Sequence, residues 1–237
     1  MSKVSQFCIK PLREHWQAIK GIFRYLRGTE SYGITLGDVN SEDTQLFGSC
    51  DASFAGDIDC RFSPKTKLYI GGRKSHTGYI FWYGGSPVSW KSFRQGRVAL
   101  SSTEAEIIAL VSATQELIWL RELVDWIAPG SITKPTPIEQ DNQSAIYLVT
   151  KNTLNKRSKH YGKDYFFVTE HVESGILELR KQKTDFITSD LLTKPLMRQA
   201  FLKHVVKLLG PEERGTIDIA REIHKGLAVT WGASSAM

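Results

Sequence analysis

Residues 101–127 have the sequence SSTEAEIIALVSATQELIWLRELVDWI, which predicts one long helix from about Ser102 to Ile127. Apolar residues recur along it at the three- and four-residue spacing of a helix face, and they are Ile107, Leu110, Val111, Leu117, Ile118, Leu120 and Val124. Pro129 and Gly130 end the helix. We expect a helix of this length, with so broad an apolar face, to cover a sheet.

Three strands are predicted ahead of this helix. Aromatic and branched residues bounded by turn residues indicate strands at 45–51 and 77–83, and a third at 87–91 that resumes at 97–100 after Gly96. Together they predict an antiparallel three-stranded meander. The basic, glycine-containing segment between residues 51 and 74 is expected to be irregular.

Strands and helices alternate after the long helix. The expected elements are a strand at 137–141, helices at 142–149 and 164–173, a strand at 176–181 and a helix at 197–209. A further helix is expected at 12–27, before the first strand. This order predicts an α/β fold, with a mixed five-stranded sheet, helices on both faces and a short helical segment in front.

The composition is that of an ordinary globular protein. The 237 residues are 41% hydrophobic and 24% charged, which excludes wholesale disorder. No stretch approaches roughly 18 consecutive apolar residues, and the first residues lack a signal-peptide pattern, so we expect an intracellular protein without a membrane partner. Cys8, Cys50 and Cys60 include no CxxC pair and predict free thiols rather than a zinc site.

Basic residues are concentrated in two segments, although the net charge is only +6. Residues 61–103 contain eight Lys and Arg residues and no Asp or Glu. A second cluster consists of Lys151, Lys156, Arg157, Lys159 and Lys163. A face that carried both clusters would attract a polyanion, whereas any single lysine is better explained by a solvated surface.

Four acidic residues stand where strands end or helices begin, and these positions are where sites are built. They are Asp51, Glu106, Asp141 and Asp190. If the sheet brings them together, their repulsion requires a cation, and oxygen-only ligands favour Mg²⁺ or Mn²⁺. Two such ions about 3.5–4 Å apart can promote in-line hydrolysis of a phosphodiester.

Each carboxylate also has a purely structural interpretation. Asp141 could be the N-cap of the following helix, and Asp190 could complement a helix dipole. Residues 101–104 and 103–106 both match a capping box, so Glu106 could serve the backbone instead of a cation. Asp57, Asp59, Glu139 and Asp185 are neighbours that spacing alone does not exclude.

Seven motifs resemble, in order, the ribonuclease H region of copia-type retrotransposon polyproteins. They are 51–57 (DASFAGD), 73–79 (RKSHTGY), 87–92 (PVSWKS), 101–110 (SSTEAEIIAL), 141–145 (DNQSA), 158–160 (SKH) and 190–196 (DLLTKPL). Residues 14–28 resemble the end of the reverse transcriptase of the same polyproteins. The resemblance implies that the metal ligands are Asp51, Glu106, Asp141 and Asp190.

The resemblance also implies a division into domains. Residues 1–40 are expected to be a remnant of the C-terminal end of a reverse transcriptase, 41–210 a ribonuclease H-like domain and 211–237 a C-terminal extension with a mobile end. Residues 60–72 look inserted relative to the family. The insertion predicts either a longer hairpin or a displaced strand.

The implied activity is hydrolysis of the RNA strand of RNA–DNA hybrids by an endonuclease that uses two Mg²⁺ ions, with Mn²⁺ as a substitute. The alternative is a degenerate or captured retroelement fragment that folds, and binds nucleic acid at most, without cutting it. The expected partners are the hybrid and the reverse transcriptase portion of a larger protein. The candidate nucleic-acid contacts are Lys91, Arg94, Arg97, Asn142, Gln143, Ser144, Lys159 and His160.

Overall fold

The computed structural model describes residues 2–5, 7–8, 11–30, 32–34, 36, 45–63, 68–151 and 162–209, with the backbone alone for 2–3, 57–63 and 68–72. The strands are β1 (Phe47–Ser63), β2 (Leu68–Tyr83), β3 (Ser86–Arg94), β4 (Thr136–Gln140) and β5 (Leu177–Lys181). The helices are α1 (Ser2–Ser5), α2 (Arg13–Gly28), α3 (Ser102–Ile127), α4 (Gln143–Lys151), α5 (Gly162–Glu173), α6 (Asp190–Thr193) and α7 (Arg198–Leu209).

The strands form a mixed sheet in the order β3-β2-β1-β4-β5. Strands β1, β2 and β3 pair antiparallel as the predicted meander, whereas β4 pairs parallel with both β1 and β5. Parallel neighbours need crossover connections, and helices of the chain supply them. The predicted α/β fold with a mixed five-stranded sheet is confirmed.

Helices pack on both faces of this sheet. On one face α3 buries Ile107, Leu110 and Leu117 against Cys50 and Phe81. Alternate residues of a strand point to opposite faces, so Gly78 of β2 is on the other face from Phe81. On that face α6 lies against Gly78. Cys50 is a buried free thiol, as predicted.

The strand predicted at 97–100 is wrong. These residues form an irregular connection between β3 and α3. The backbone N–H of Leu100 donates to the carboxylate of Glu104 at 2.7 Å, and the side chain of Arg97 pairs with that of Asp164. These local side-chain contacts take the place of a sheet ladder and lead the chain into the helix.

The irregular segment predicted between residues 51 and 74 is also wrong. Strands β1 and β2 continue as an antiparallel hairpin, in which Cys60 lies opposite Gly71 and Ser63 opposite Leu68. The inserted residues therefore lengthen a hairpin rather than displace a strand. The ladder is interrupted between Ser53 and Asp57, around the left-handed residue Ala55 at φ 50°.

The chain divides into two compact units, Met1–Thr35 with Val205–Met237, and Leu36–His204. The predicted domain limits at residues 40 and 210 stay a prediction, and residues 211–237 lie outside the described residues. Helix α2 of the first unit matches the helix predicted at 12–27. No helix within the described ranges combines the length and apolar character that crossing a bilayer requires.

Candidate metal centre

Three of the four predicted carboxylates come together at one end of the sheet. Carboxylate oxygens of Asp51, Glu106 and Asp141 all lie within 4.8 Å of one another. Asp51 and Glu106 are buried, with 2% and 5% exposure, and Asp141 is half-buried. One of the three carboxylates is therefore partly open to solvent.

The pairing of β1 with β4 explains why Asp51 and Asp141 meet. These strands run parallel, with Gly48 beside Ile138, so the residues three positions further along each chain arrive at the same level. Glu106 reaches the same place from the first turns of α3, which packs against β1. The site thus combines a residue within β1, the residue that follows β4 and the start of α3.

Asp190 lies beside this group and takes part in an ion pair. Its Oδ1 is 2.9 Å from Nζ of Lys194, one turn further along the chain. Thr193 connects Asp190 to the cluster, because its hydroxyl donates to Oδ2 of Asp51 and lies 3.2 Å from the carbonyl oxygen of Asp190. Among the described residues, the group with mutually close carboxylates contains Asp51, Glu106 and Asp141 but not Asp190.

The clustered carboxylates raise one another's affinity for protons. Burial raises the pKa of Asp51 to about 7; the hydrogen bond from Thr193 opposes this rise, and the charges of Asp190 and Asp141 add to it. The pKa of Glu106 is also raised well above its usual range, by burial and then by Asp51 and Asp141. The positive charge of Lys194 therefore does not balance the carboxylates when they are ionised.

A hard divalent cation fits this set of donors. The three residues offer only carboxylate oxygens, which favour Mg²⁺ or Mn²⁺ over softer metals. A cation would also offset the repulsion that raises the two pKa values. The residues present therefore fit a divalent metal centre, and the identity of the ion belongs to the proposal below.

Residues close in sequence to the candidate ligands cap the two helices. The interpretation of Asp141 and Glu106 as capping residues is therefore wrong. Asn142 caps α4, since its Oδ1 accepts from the backbone N–H of Ala145 at 3.0 Å. Ser101 caps α3 by accepting from the N–H of Glu104 at 3.1 Å. The carboxylate of Asp141 instead accepts a hydrogen bond from the Thr184 hydroxyl at 2.8 Å.

Gly78 is a site residue that sequence reasoning missed. It lies opposite Asp51 in the β1–β2 ladder. A Cβ at this position would be 2.7 Å from Cβ of Leu192 and 2.9 Å from the carbonyl oxygen of Ser189. The available signal was a glycine inside the aromatic strand 77–83, since such a glycine often marks a close approach of another backbone.

Gly78→Ala is expected to destabilise the protein by about 1–3 kcal/mol, because α6 must move away from the sheet. Chemical denaturation at neutral pH measures the loss. Gly96→Ala is the matched control, since a Cβ there meets nothing within 4 Å. Equal stability of the two variants would show that the close packing of α6 on β2 is not required.

The structure describes six of the eight candidate nucleic-acid contacts. Lys91 lies on β3 with Nζ 5.2 Å from the centre of the Phe93 ring. Arg97 forms ion pairs with Asp164 and, at 3.6 Å, with Glu104. Arg94 ends β3, and Gln143 and Ser144 are exposed in the first turn of α4, beside Asp141. Lys159 and His160 lie outside the described residues.

The fold and its carboxylates define an α/β protein with a candidate divalent-cation centre. No family model matches the chain. It is 38% identical over 198 residues to the retrovirus-related Pol polyprotein from transposon TNT 1-94 of Nicotiana tabacum, a match that covers 84% of this chain and 14% of the polyprotein. It is 36% identical over 208 residues to the corresponding polyprotein from transposon RE1 of Arabidopsis thaliana, covering 88% and 13%.

The chain belongs to the copia-type, retrovirus-related Pol polyproteins of transposons, and the predicted family is confirmed. It spans about one seventh of the length of these relatives. Among solved structures, LC11-RNase H1 in complex with an RNA/DNA hybrid is 10% identical, with a TM-score of 0.45, covering 63% of this chain and 94% of that chain.

Proposed function

We propose that the protein is a divalent-metal-dependent endonuclease that hydrolyses the RNA strand of RNA–DNA hybrids, leaving a 3′-hydroxyl and a 5′-phosphate. The observation that carries the proposal is the group of Asp51, Glu106 and Asp141, whose oxygens lie within 4.8 Å of one another. Membership of a transposon polyprotein family supports the substrate class, because such elements copy RNA into DNA.

In this proposal Asp51, Glu106 and Asp141 hold Mg²⁺, or Mn²⁺ in its place, and Asp190 supplies a fourth carboxylate once it separates from Lys194. A pair of bound ions would activate a water molecule for in-line attack on the phosphodiester and would stabilise the leaving oxygen. The protein's own contribution is geometric, since the burial of Asp51 and Glu106 fixes their positions and limits competing water.

The substrate would be recognised through its shape. A hybrid with A-like form presents a shallow minor groove with 2′-hydroxyls, which a protein can contact without regard to sequence. Gln143 and Ser144 are suited to these hydroxyls, and Asn142 keeps its amide nitrogen for them because its Oδ1 caps α4. Lys91, Arg94, Arg97, Lys159 and His160 would contact phosphates, with Arg97 exchanging Asp164 for a phosphate.

Asp141→Asn is expected to lower the rate of hybrid cleavage at least 100-fold. The reason is that residues which merely orient metal ligands already contribute about 10- to 100-fold. The measurement is incubation of purified protein with end-labelled RNA–DNA hybrid in Mg²⁺ or Mn²⁺. The Asp141 side chain is half-buried, so the isosteric amide is not expected to unfold the protein.

Duplex DNA and duplex RNA of the same sequence are the substrate controls. Asp185→Asn is the matched control variant, because it removes one exposed carboxylate near the site without touching the cluster. Cleavage confined to the hybrid and lost only in Asp141→Asn supports the proposal. An intact hybrid, in the presence of folded wild-type protein and metal, would instead support the non-catalytic fragment.

A further inference from the structure

Gln140 occupies a position between two of the candidate metal ligands. It is the last residue of β4 and is completely buried, at 0% exposure. Its Nε2 donates to Oε2 of Glu106 at 3.1 Å. Its Oε1 accepts from the backbone N–H groups of Asp141 at 2.7 Å and Asn142 at 3.1 Å. One amide therefore connects α3 to the end of β4.

The orientation of this amide follows from its partners. A reversed amide would place its NH₂ group against the two backbone N–H donors and its oxygen against the carboxylate of Glu106. Both contacts would be repulsive, and the buried position offers no compensating water. The donor side of Gln140 must therefore face Glu106, and the acceptor side must face the start of α4.

The backbone of Gln140 is fixed as firmly as its side chain. Its carbonyl oxygen accepts from the N–H of Gln182 at 3.0 Å, and the residue lies opposite Lys181 in the parallel ladder with β5. The side chain thus extends from a rigid strand rather than from a loop. Such a support can hold a carboxylate in one rotamer.

We infer that Gln140 is a positioning residue of the proposed metal centre, which holds the carboxylate of Glu106 and the backbone of Asp141 in the geometry that a cation requires. The inference rests on the proposed function. Gln140 acts through the two ligands, because its amide hydrogen bonds go to Glu106 and to the backbone beside Asp141. Partners that orient metal ligands typically change metal affinity 10- to 100-fold.

The test compares two buried glutamines. Gln140→Met preserves side-chain length and removes the amide, and Gln95→Met makes the same change at a residue of 1% exposure. Gln95 donates to the Thr77 hydroxyl at 3.1 Å and to the carbonyl oxygen of Ala105 at 2.9 Å, both uncharged groups. Both variants are expected to have lower melting temperatures, so stability alone does not separate them.

The separating measurement is the dissociation constant for Mn²⁺, obtained without nucleic acid from the electron paramagnetic resonance signal of free Mn²⁺. Gln140→Met is expected to weaken binding about 10- to 100-fold, and Gln95→Met by less than about twofold. Gln140→Asn is the second variant, to be used if the methionine variant does not fold. It keeps an amide that is one methylene too short to reach both sides, and weaker binding is expected again.

Three outcomes would overturn the inference. Unchanged Mn²⁺ affinity in the Gln140 variants, with normal binding by the wild type, overturns the positioning role and leaves the proposed function intact. Equal weakening by Gln95→Met shows that lost stability, and not lost positioning, is responsible. A wild-type protein that binds no Mn²⁺ overturns the proposed function and the role of Gln140 with it.

Discussion

Replacing Asp51 by asparagine is expected to stabilise the metal-free protein at pH 7 by roughly 2–4 kcal/mol. Burial raises the pKa of this carboxyl group to about 7. The charges of Asp190 and Asp141 also raise this pKa, whereas the hydrogen bond from Thr193 and the charge of Lys194 lower it. The folded protein therefore keeps a proton between about pH 4 and 7 that the unfolded chain releases. Its free energy of unfolding falls as the pH rises through this window.

Asparagine has the same shape as aspartate and keeps an acceptor oxygen for Thr193, but it carries no charge. The gain from Asp51→Asn should accordingly be small near pH 4 and complete near pH 7. Urea denaturation in the presence of EDTA, at about pH 4, 5.5 and 7, measures it. Asp185→Asn is the control for removing an exposed carboxylate. A wild type as stable as Asp51→Asn at pH 7 would contradict the prediction.

Divalent metal should reverse this order of stability. A cation at about 1,000 times its dissociation constant stabilises the native state by about 4.1 kcal/mol if it binds only that state. Wild-type protein is expected to gain this amount with Mn²⁺, whereas Asp51→Asn is expected to gain much less. The reversal distinguishes a metal centre from a buried aspartate that serves only to support the fold.

The arrangement of the sheet could be predicted because its signals are periodic and local. The apolar spacing of α3 and the alternation of strands with helices determine most of the order of elements. The parallel pairing of β1 and β4 then brings Asp51 and Asp141 to one level. Sequence spacing gave no information on this pairing, since the two residues are far apart along the chain.

Caps were harder to assign because Asp, Asn, Ser and Glu compete for the same backbone groups. Asp141 and Asn142 are adjacent and both suit an N-cap, and the structure uses Asn142. The strand predicted at 97–100 failed for a related reason, since the Glu104 side chain takes the N–H of Leu100. Which side chain accepts the backbone hydrogen bond depends on where the preceding strand ends. Hydrophobic periodicity does not locate a strand end to within one residue.

The setting of Asp190 depends on tertiary contacts that sequence patterns do not contain. The motif at 190–196 marks the residue as a candidate ligand, but its ion pair with Lys194 forms across α6, which packs closely on Gly78. Gln140 was missed for the same reason. A buried glutamine has no periodic signature, and its role is visible only when Glu106 and Asp141 are placed around it.

The apparent dissociation constant for Mg²⁺ is expected to fall about 10- to 100-fold for each pH unit between about pH 5.5 and 7. A metal ligand must be deprotonated, so each proton that a cation displaces contributes about tenfold per pH unit. Asp51 has a pKa of about 7, and burial together with Asp51 and Asp141 raises that of Glu106 well above its usual range. Affinity should therefore increase with pH.

Calorimetric titration in two buffers of different ionisation enthalpy counts the protons released for each ion bound. One to two protons are expected near pH 6, because the two carboxyl groups titrate as a coupled pair rather than independently. Exposed carboxylates with ordinary pKa values near 4 would already be ionised and would release almost none. A constant affinity across this pH range would therefore show that the cation binds outside the buried cluster of Asp51 and Glu106.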